Sequence, residues 1–577
     1  MATIRETLDQ LISEALSQVT GIPACRAIVN PASRAEFGDY QANGVMAVAK
    51  QLKKNPREVA EAVCERLETG RLVERYEVAG PGFINIHLSD HWLSERATHL
   101  LGCLGELIPQ TQAPQTIVVD YSSPNLAKEM HVGHLRGTII GDSLVRVLER
   151  LGHNVIRQNH VGDWGTQFGM LIAYLQLVSD DLDSVSSELA DLETFYRAAK
   201  EKFDSDPEFA EAARSSVVKL QGGDEQSLTI WHQFIEESLR HCEAVYDKLG
   251  IKIRRTDLRA ESFYNNKLQG IIEDLDKQQL LTVSDGARCV FLPEFKGKDD
   301  EPLPVIVQKS DGGFLYSTTD LAAIRFRAQD LAAERILYVV DARQSLHFQQ
   351  IFAVAQVAGF VADTCQLEHV AYGTMMGKDG KPFKTRSGDT IKLIELLDEA
   401  VRRAFELVSQ KSPDIDEETR RDIAEKVGIG AVKYADLSKN RTSDYVFDWD
   451  SMLAFDGNTA PYLLYAYTRI SSVLRKRDSV SSNPAKIAIS APEERVLMVK
   501  LLRMPEILQV VAADYFPSHL STYLFELAGL FMRFYEACPI LKAEPAVRDS
   551  RLALATLTAA ALKEGLELLG LETLEQM

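Results

Sequence analysis

An apolar run, Thr116-Ile117-Val118-Val119-Asp120, opens into Tyr121-Ser122-Ser123-Pro124-Asn125-Leu126-Ala127-Lys128-Glu129-Met130-His131-Val132-Gly133-His134-Leu135-Arg136. The pattern predicts a strand, a polar loop and a helix start, with His131 and His134 delivered to the helix mouth. Free backbone N–H groups and the helix dipole favour phosphate at such a mouth. Two imidazoles there can donate hydrogen bonds to a triphosphate and to the pentavalent state formed when its α-phosphorus is attacked. Gly133 has no side chain, so an adenine ring can lie flat against the backbone. The chemistry these residues suit is nucleotidyl transfer.

Several elements must position that loop. Leu135, Ile139, Ile140, Leu144, Val147, Leu148 and Leu151 recur at helical spacing and stop at Gly152. A second strand, Asn154 to His160, follows at once, which makes a βαβ unit. Residues 180 to about 260 are charged and helix-patterned, and read as an insertion. Sheet character returns at Val305 to Gln308, Leu315 to Thr318 and Arg335 to Asp341. From about 390 onward almost everything is helix-patterned. Ahead of the motif, residues 1–108 read as a separate α/β module. It ends on Phe83-Ile84-Asn85-Ile86-His87-Leu88, whose period of two gives one apolar and one aromatic-polar face.

Whole-chain properties narrow the function classes. At 577 residues the chain exceeds a single core, and roughly four domains are expected. Its start has no basic-then-apolar signal pattern, and no apolar run approaches the ~20 residues of a membrane span. Seven cysteines are scattered and never form a C-x-x-C pair, which argues against a disulfide framework or a thiolate zinc knuckle. A reducing, cytoplasmic setting is the expectation. A net charge of −19 disfavours a general nucleic-acid binder. Screening over ~8–10 Å still lets local basic patches hold an RNA backbone.

The motif residues, together with Gly162-Asp163-Trp164-Gly165-Thr166-Gln167-Phe168-Gly169, Tyr316 to Asp320, Gly377 to Gly388 and Tyr434 to Arg441, resemble the class I aminoacyl-tRNA synthetases in their arginyl, bacterial-type form. The resemblance covers essentially the full length. It implies an α/β fold with a Rossmann-type parallel-sheet catalytic domain over 109–400, carrying the insertion at about 180–260. The N-terminal α/β module over 1–108 would contact tRNA, residues 401–450 would be linker helices, and 451–577 an all-helical anticodon-binding domain. The implied reaction joins L-arginine to ATP as an adenylate and passes arginine to the 3′ end of its tRNA. ATP enters with Mg²⁺ as substrate, no zinc or organic cofactor is expected, and the chain would be a monomer without a membrane partner.

The resemblance also implies site residues. Asp120 and Asn125 would face the amino acid's ammonium and carboxylate, Tyr316 and Asp320 its guanidinium, and Gln344 the same ligand. His131 would serve both arginine and ATP, with Gly133, His134 and Met376 at the nucleotide. Taken by itself, Asp320 after Thr318-Thr319 also suits a helix N-cap, and Asp120 a strand-end turn. Most class I enzymes carry Lys-Met-Ser-Lys-Ser near Met375 to Gly388, and this chain does not. Lys128 resembles the lysine that arginyl enzymes of this type use instead, with Lys384 and Arg386 as helpers. For tRNA the resemblance points to Phe83 and Asn85, which also suit a half-exposed strand, and to Met577 and Tyr535, the latter equally a routine helix aromatic. Arg469, Arg475, Lys476 and Arg477 make a local basic stretch suited to phosphates. A cysteinyl synthetase lacks support without a zinc thiolate site. A pantothenate-type ligase would be about half this length, and the intact His131, His134, Lys128 and Asp320 argue against a tRNA-binding paralogue without catalysis.

Overall fold

The computed structural model describes residues 2–178, 192–297, 300–383, 391–476 and 486–577. It forms two compact units, Met1–Gln112 with Ala454–Met577, and Ala113–Leu453. In the first, strands β1 (Val29–Pro31), β2 (Tyr40–Ala42), β3 (Val73–Ala79) and β4 (Phe83–Leu88) make an antiparallel sheet in the order β1-β2-β4-β3. Five helices from the far end of the chain belong to the same unit: Ala460–Arg475, Pro492–Leu502, Met504–Asp514, Pro517–Ala537 and Pro545–Leu568. Buried polar contacts join the chain's two ends. Arg495 donates both terminal nitrogens to Asp39 at 2.8 and 2.9 Å, and the Tyr40 hydroxyl donates to Glu506 at 2.7 Å.

The second unit carries β5 (Thr116–Asp120), β6 (Asn154–Gln158), β7 (Leu281–Ser284), β8 (Ala287–Val290), β9 (Val305–Gln308), β10 (Arg335–Tyr338), β11 (Gln366–His369), β12 (Met375–Met376) and β13 (Tyr445–Val446). Its central sheet is parallel, in the order β11-β10-β5-β6. Ile117, Val118 and Val119 are fully buried, as a continuous apolar run between two sheet faces requires. The chain leaves β5 toward β6 on one side and later reaches β10 on the other. The carboxyl end of β5 is therefore the switch point at which open parallel sheets bind ligands. The helix Leu135–Arg150 that follows is buried along most of its length. A side chain at Gly141 would place its Cβ 2.3 Å from Tyr121, so only glycine permits that approach.

The segment Leu315 to Thr318 departs from its expected sheet character: the helix Tyr316–Arg325 begins there, with Leu315 extended as its N-cap. Ser317 and Thr318 donate their hydroxyls to the carbonyls of Ile306 and Val307. Residues of strand propensity thus fasten a helix start to the edge of β9 rather than joining a ladder. The strand β9 itself belongs to a small antiparallel sheet, β7-β8-β9. In the insertion, described residues form the helices Leu192–Ser205, Pro207–Gln221 and Glu225–Leu249.

Across the carboxyl edge of the parallel sheet, Gln158, Asp120, Tyr338 and His369 stand level in register. Arg327, in the π-helical turn Phe326–Asp330 that continues the helix Tyr316–Arg325, lies over three of them. Its Nη2 is 2.8 Å from Asp120, its Nε donates to Gln158 at 2.6 Å, and its guanidinium sits 4.9 Å from the Tyr338 ring centroid. No part of Arg327 reaches solvent, and Asp120 is 4% exposed. Arg327→Met, which strands the Asp120 charge, is expected to cost about 3–5 kcal/mol of unfolding free energy, and Asp120→Asn combined with it distinctly less. Urea unfolding midpoints test this, and a single-variant loss below about 1 kcal/mol would show the pair to be dispensable.

Candidate active site

The loop leaving β5 turns sharply. Ser122 and Ser123 both take left-handed backbone angles (φ 74° and 45°), each costing on the order of 1–3 kcal/mol in a residue other than glycine. Buried neighbours hold them there. The Ser122 hydroxyl meets that of Tyr246 at 2.8 Å, the Ser123 N–H donates to Asn159 Oδ1 at 2.9 Å, and the Ser123 hydroxyl donates to Asp120 at 2.9 Å. Asn159 in turn donates to the Tyr246 hydroxyl at 3.1 Å. Asn125 follows, exposed, its Oδ1 accepting from the Ala127 N–H at 3.0 Å.

His131 and His134 cap the short turn Val132–His134 ahead of the long helix. The Gly133 N–H donates to Nδ1 of His131 at 3.0 Å, and the His131 N–H donates to Nδ1 of His134 at 3.1 Å. The rings lie 4.0 Å apart, centroid to centroid. Burial pushes the His134 imidazole down to about 3, with His131 adding to the effect, and burial and Lys128 lower His131 as well. Both rings are therefore neutral near pH 7. With Nδ1 occupied as an acceptor, each carries its proton on Nε2, a donor free for a ligand. A Cβ on Gly133 would come within 2.9 Å of the His131 ring, so this glycine keeps the imidazole in place. Lys128 is half-buried, its ammonium 4.3 Å above the Tyr196 ring of the insertion.

Asp320 lies in the second turn of Tyr316–Arg325, which excludes the N-cap alternative. It is flanked by two histidines, His347 Nε2 at 2.6 Å and His160 Nε2 at 3.9 Å. Tyr316 is exposed and packs edge-on against His347, with centroids 4.8 Å apart. Glu261 stands within electrostatic reach of Asp163 and Asp320; burial above all, with those two carboxylates adding to it, pushes its carboxyl up to about 7. Asp163 accepts from the backbone and hydroxyl of Ser262 at 2.9 and 2.5 Å. Gln344 is exposed at the start of Ser345–Val357. Of the two carboxylates expected at the amino acid, Asp120 already engages Arg327 and Ser123, whereas Asp320 has an oxygen turned toward the cluster.

The basic loop is fastened next to the histidines. Met376 pairs with Val446 of β13, Phe383 donates its N–H back to Met375 at 3.0 Å, and Lys378 pairs with Asp448. On the far side of the loop, the Val132 N–H donates to Ile391 at 3.1 Å and the Leu393 N–H donates to Met130 at 2.9 Å. Lys384 and Arg386 lie outside the described residues.

In the other unit, Phe83 is half-buried, and Asn85 is 2% exposed with its Oδ1 accepting from Gln41 at 2.7 Å. Arg469 and Tyr535, far apart in the chain, come together: the guanidinium lies 4.9 Å from the Tyr535 centroid and donates to Tyr465 at 3.0 Å. Arg475 donates to the Glu575 carbonyl at 2.5 Å, which fastens the tail that ends at half-exposed Met577. Arg477 lies outside the described residues. Sequence reading passed over Glu261, His160, His347 and Arg327. His160 and His347 each adjoin a segment already singled out, the Gly162-Asp163-Trp164 block and Gln344. Glu261 has no local pattern to betray it.

Comparison with known proteins identifies the family. Family models match at three places: the arginyl tRNA synthetase N terminal domain over 6–88, the catalytic domain of class I (R) tRNA synthetases over 98–449, and the DALR anticodon binding domain over 463–577. The arginine–tRNA ligase of Laribacter hongkongensis is 56% identical over 99% of this chain and 100% of its own, and that of a Marinomonas species is 55% identical over 100% of both. Two solved arginyl-tRNA synthetases cover both chains completely, from Plasmodium falciparum (TM-score 0.87, 30% identity) and Thermus thermophilus (TM-score 0.83, 26% identity). From its first module to its last helices, the chain belongs to the arginyl-tRNA synthetases of class I.

Proposed function

We propose that this arginine–tRNA ligase forms its adenylate at the mouth of Leu135–Arg150, with His131 and His134 as uncharged donors to the phosphates. The observation that carries the reading is the pair of Nδ1 hydrogen bonds, which leaves both Nε2–H groups for the nucleotide. The arginine carboxylate attacks the α-phosphorus in line, so no general base is required; positioning and charge stabilisation do the catalysis. Gly133 and Met376 border the adenosine. Lys128 supplies the cation for the leaving pyrophosphate, with Lys384 and Arg386 assisting from the loop. Mg²⁺ enters with the nucleotide, where phosphate oxygens would hold it and it would offset their charge.

The substrate arginine lies along the carboxyl edge of the sheet. Asp120, Asn125 and Gln344 take its backbone end, while Tyr316, Asp320 and Glu261 take the guanidinium, whose five donors require several acceptors. A tRNA 3′-terminal ribose hydroxyl then accepts the arginyl group. Phe83, the Arg469–Tyr535 stack and Met577 contact the tRNA, as stacking and cationic surfaces do in RNA readers, while buried Asn85 acts from within the sheet by anchoring Gln41. The same reading has the chain act as a monomer. Seven free, scattered cysteines support a reducing cytoplasmic setting.

The primary test is ATP–pyrophosphate exchange with each of the twenty amino acids, with and without tRNA. Exchange with arginine alone is expected, and His134→Ala should lower it by ~10²-fold or more without altering the fold; unchanged turnover sinks the assignment. Nitrogen-15 NMR at pH 5 should find His134 neutral, with its proton on Nε2, where an ordinary histidine is charged; an imidazolium would overturn the donor role. A guanidinium binds ionised Glu261, and below about 7 that group is protonated. The KM for arginine should therefore fall as pH rises from about 6 to 8, and Glu261→Gln should flatten that dependence.

A further inference from the structure

Two imidazoles flank Asp320 in opposite tautomers. His347 brings Nε2 to 2.6 Å from Oδ2; a carboxylate only accepts, so that nitrogen carries the proton. His160 is held by its other nitrogen. Its Nδ1 lies 2.9 Å from the Arg259 carbonyl oxygen, which also only accepts. The proton of the neutral ring is therefore on Nδ1, and Nε2 presents a bare lone pair. That lone pair stands 3.9 Å from Oδ1 of Asp320, beyond any hydrogen bond. A protonated Nε2 so close to a carboxylate would close the gap, as His347 does. The spacing is that of two acceptors which one N–H-bearing nitrogen bridges with hydrogen bonds of about 2.9 Å. Both side chains are largely shielded, 14% and 17% exposed, so water competes weakly for them.

We propose that His160 is a substrate-binding residue whose Nε2 accepts an N–H of the arginine guanidinium while Oδ1 of Asp320 accepts the neighbouring one. The inference rests on the reading of Asp320 as the guanidinium site and adds a neutral acceptor to it. A planar guanidinium spreads its donors over a fixed fork, whereas an ammonium concentrates three at one point. Acceptors distributed over a carboxylate and an imidazole suit the former. His347, by loading Oδ2 and packing on Tyr316, orients the carboxylate without touching the ligand.

The test is arginine- and ATP-dependent pyrophosphate exchange, run with tRNA, on His160→Leu, His160→Gln and Asp320→Asn. His160→Leu is expected to raise the KM for arginine by on the order of 10- to 100-fold while the KM for ATP stays put, and the amide of His160→Gln should restore most of the loss. An unchanged arginine KM in His160→Leu beside a raised one in Asp320→Asn overturns this inference and leaves the pocket standing. No effect from either variant removes the pocket reading and the inference with it. Parallel rises in both KM values mark a packing defect and also overturn it. On the unaltered enzyme, nitrogen-15 NMR should find Nε2 of His160 unprotonated and shifting on addition of arginine; a protonated or unresponsive nitrogen refutes the role even if the variants fail to fold.

Discussion

Arg327 is the constraint on which the pocket depends. A guanidinium with no access to water is tolerated only when its surroundings compensate the loss of hydration, and here three adjacent strands do so at once. Asp120 supplies the opposing charge, Gln158 an acceptor, and Tyr338 an aromatic face. Because these three are level in register, the side chain can reach all of them only if the strands are correctly aligned. Arg327 also ends the helical segment that carries Tyr316 and Asp320. One buried cation thus aligns the sheet edge and sets the height of the helix Tyr316–Arg325 above it.

A second consequence concerns where charge resides. The two histidines at the helix mouth are held neutral by burial, and the backbone fixes which nitrogen of each is free. Hydrogen-bond donors that carry no formal charge contribute their dipoles without demanding a counter-ion. Full positive charge comes instead from Lys128, set against an aromatic ring of the insertion. The strained Ser122–Ser123 turn belongs to the same design: its cost is offset by Tyr246 and Asn159, both buried, which aim the loop before any ligand arrives.

The legible parts of this molecule were those written in local periodicity. An unbroken Ile117-Val118-Val119 run declares a central strand, and apolar residues every three to four positions declare the helix behind the double histidine. Leu315 to Thr318 misleads because aromatic and hydroxylated residues favour strands, and nothing nearby announces that their hydroxyls bind the edge of β9. Glu261, His160 and His347 are invisible for another reason: each draws its meaning from neighbours remote in the chain, and a single sequence records no such distances. The union of the first 112 residues with the last helices is equally non-local, since it hangs on partners such as Asp39 with Arg495 and Tyr40 with Glu506. Asp120 reads from sequence as a ligand-facing acid, and the structure adds an internal partner, Arg327, that no local pattern announces.

Arg136, two residues past His134, is 1% exposed and paired at 2.9 Å with the equally buried Asp436 of the helix Glu417–Leu437. It also donates to the Ser443 carbonyl at 3.0 Å and lies over the Tyr445 ring, in the strand that pairs with Met375 and Met376. The first turn of the histidine-bearing helix and the root of the basic loop therefore share one buried electrostatic joint. Local opening of a folded chain proceeds in cooperative blocks bounded by such joints. Freeing either the histidine-bearing turn or the root of the basic loop would strand a desolvated charge in the other. The opening of the two is thereby coupled across segments 300 residues apart, Arg136 and Asp436.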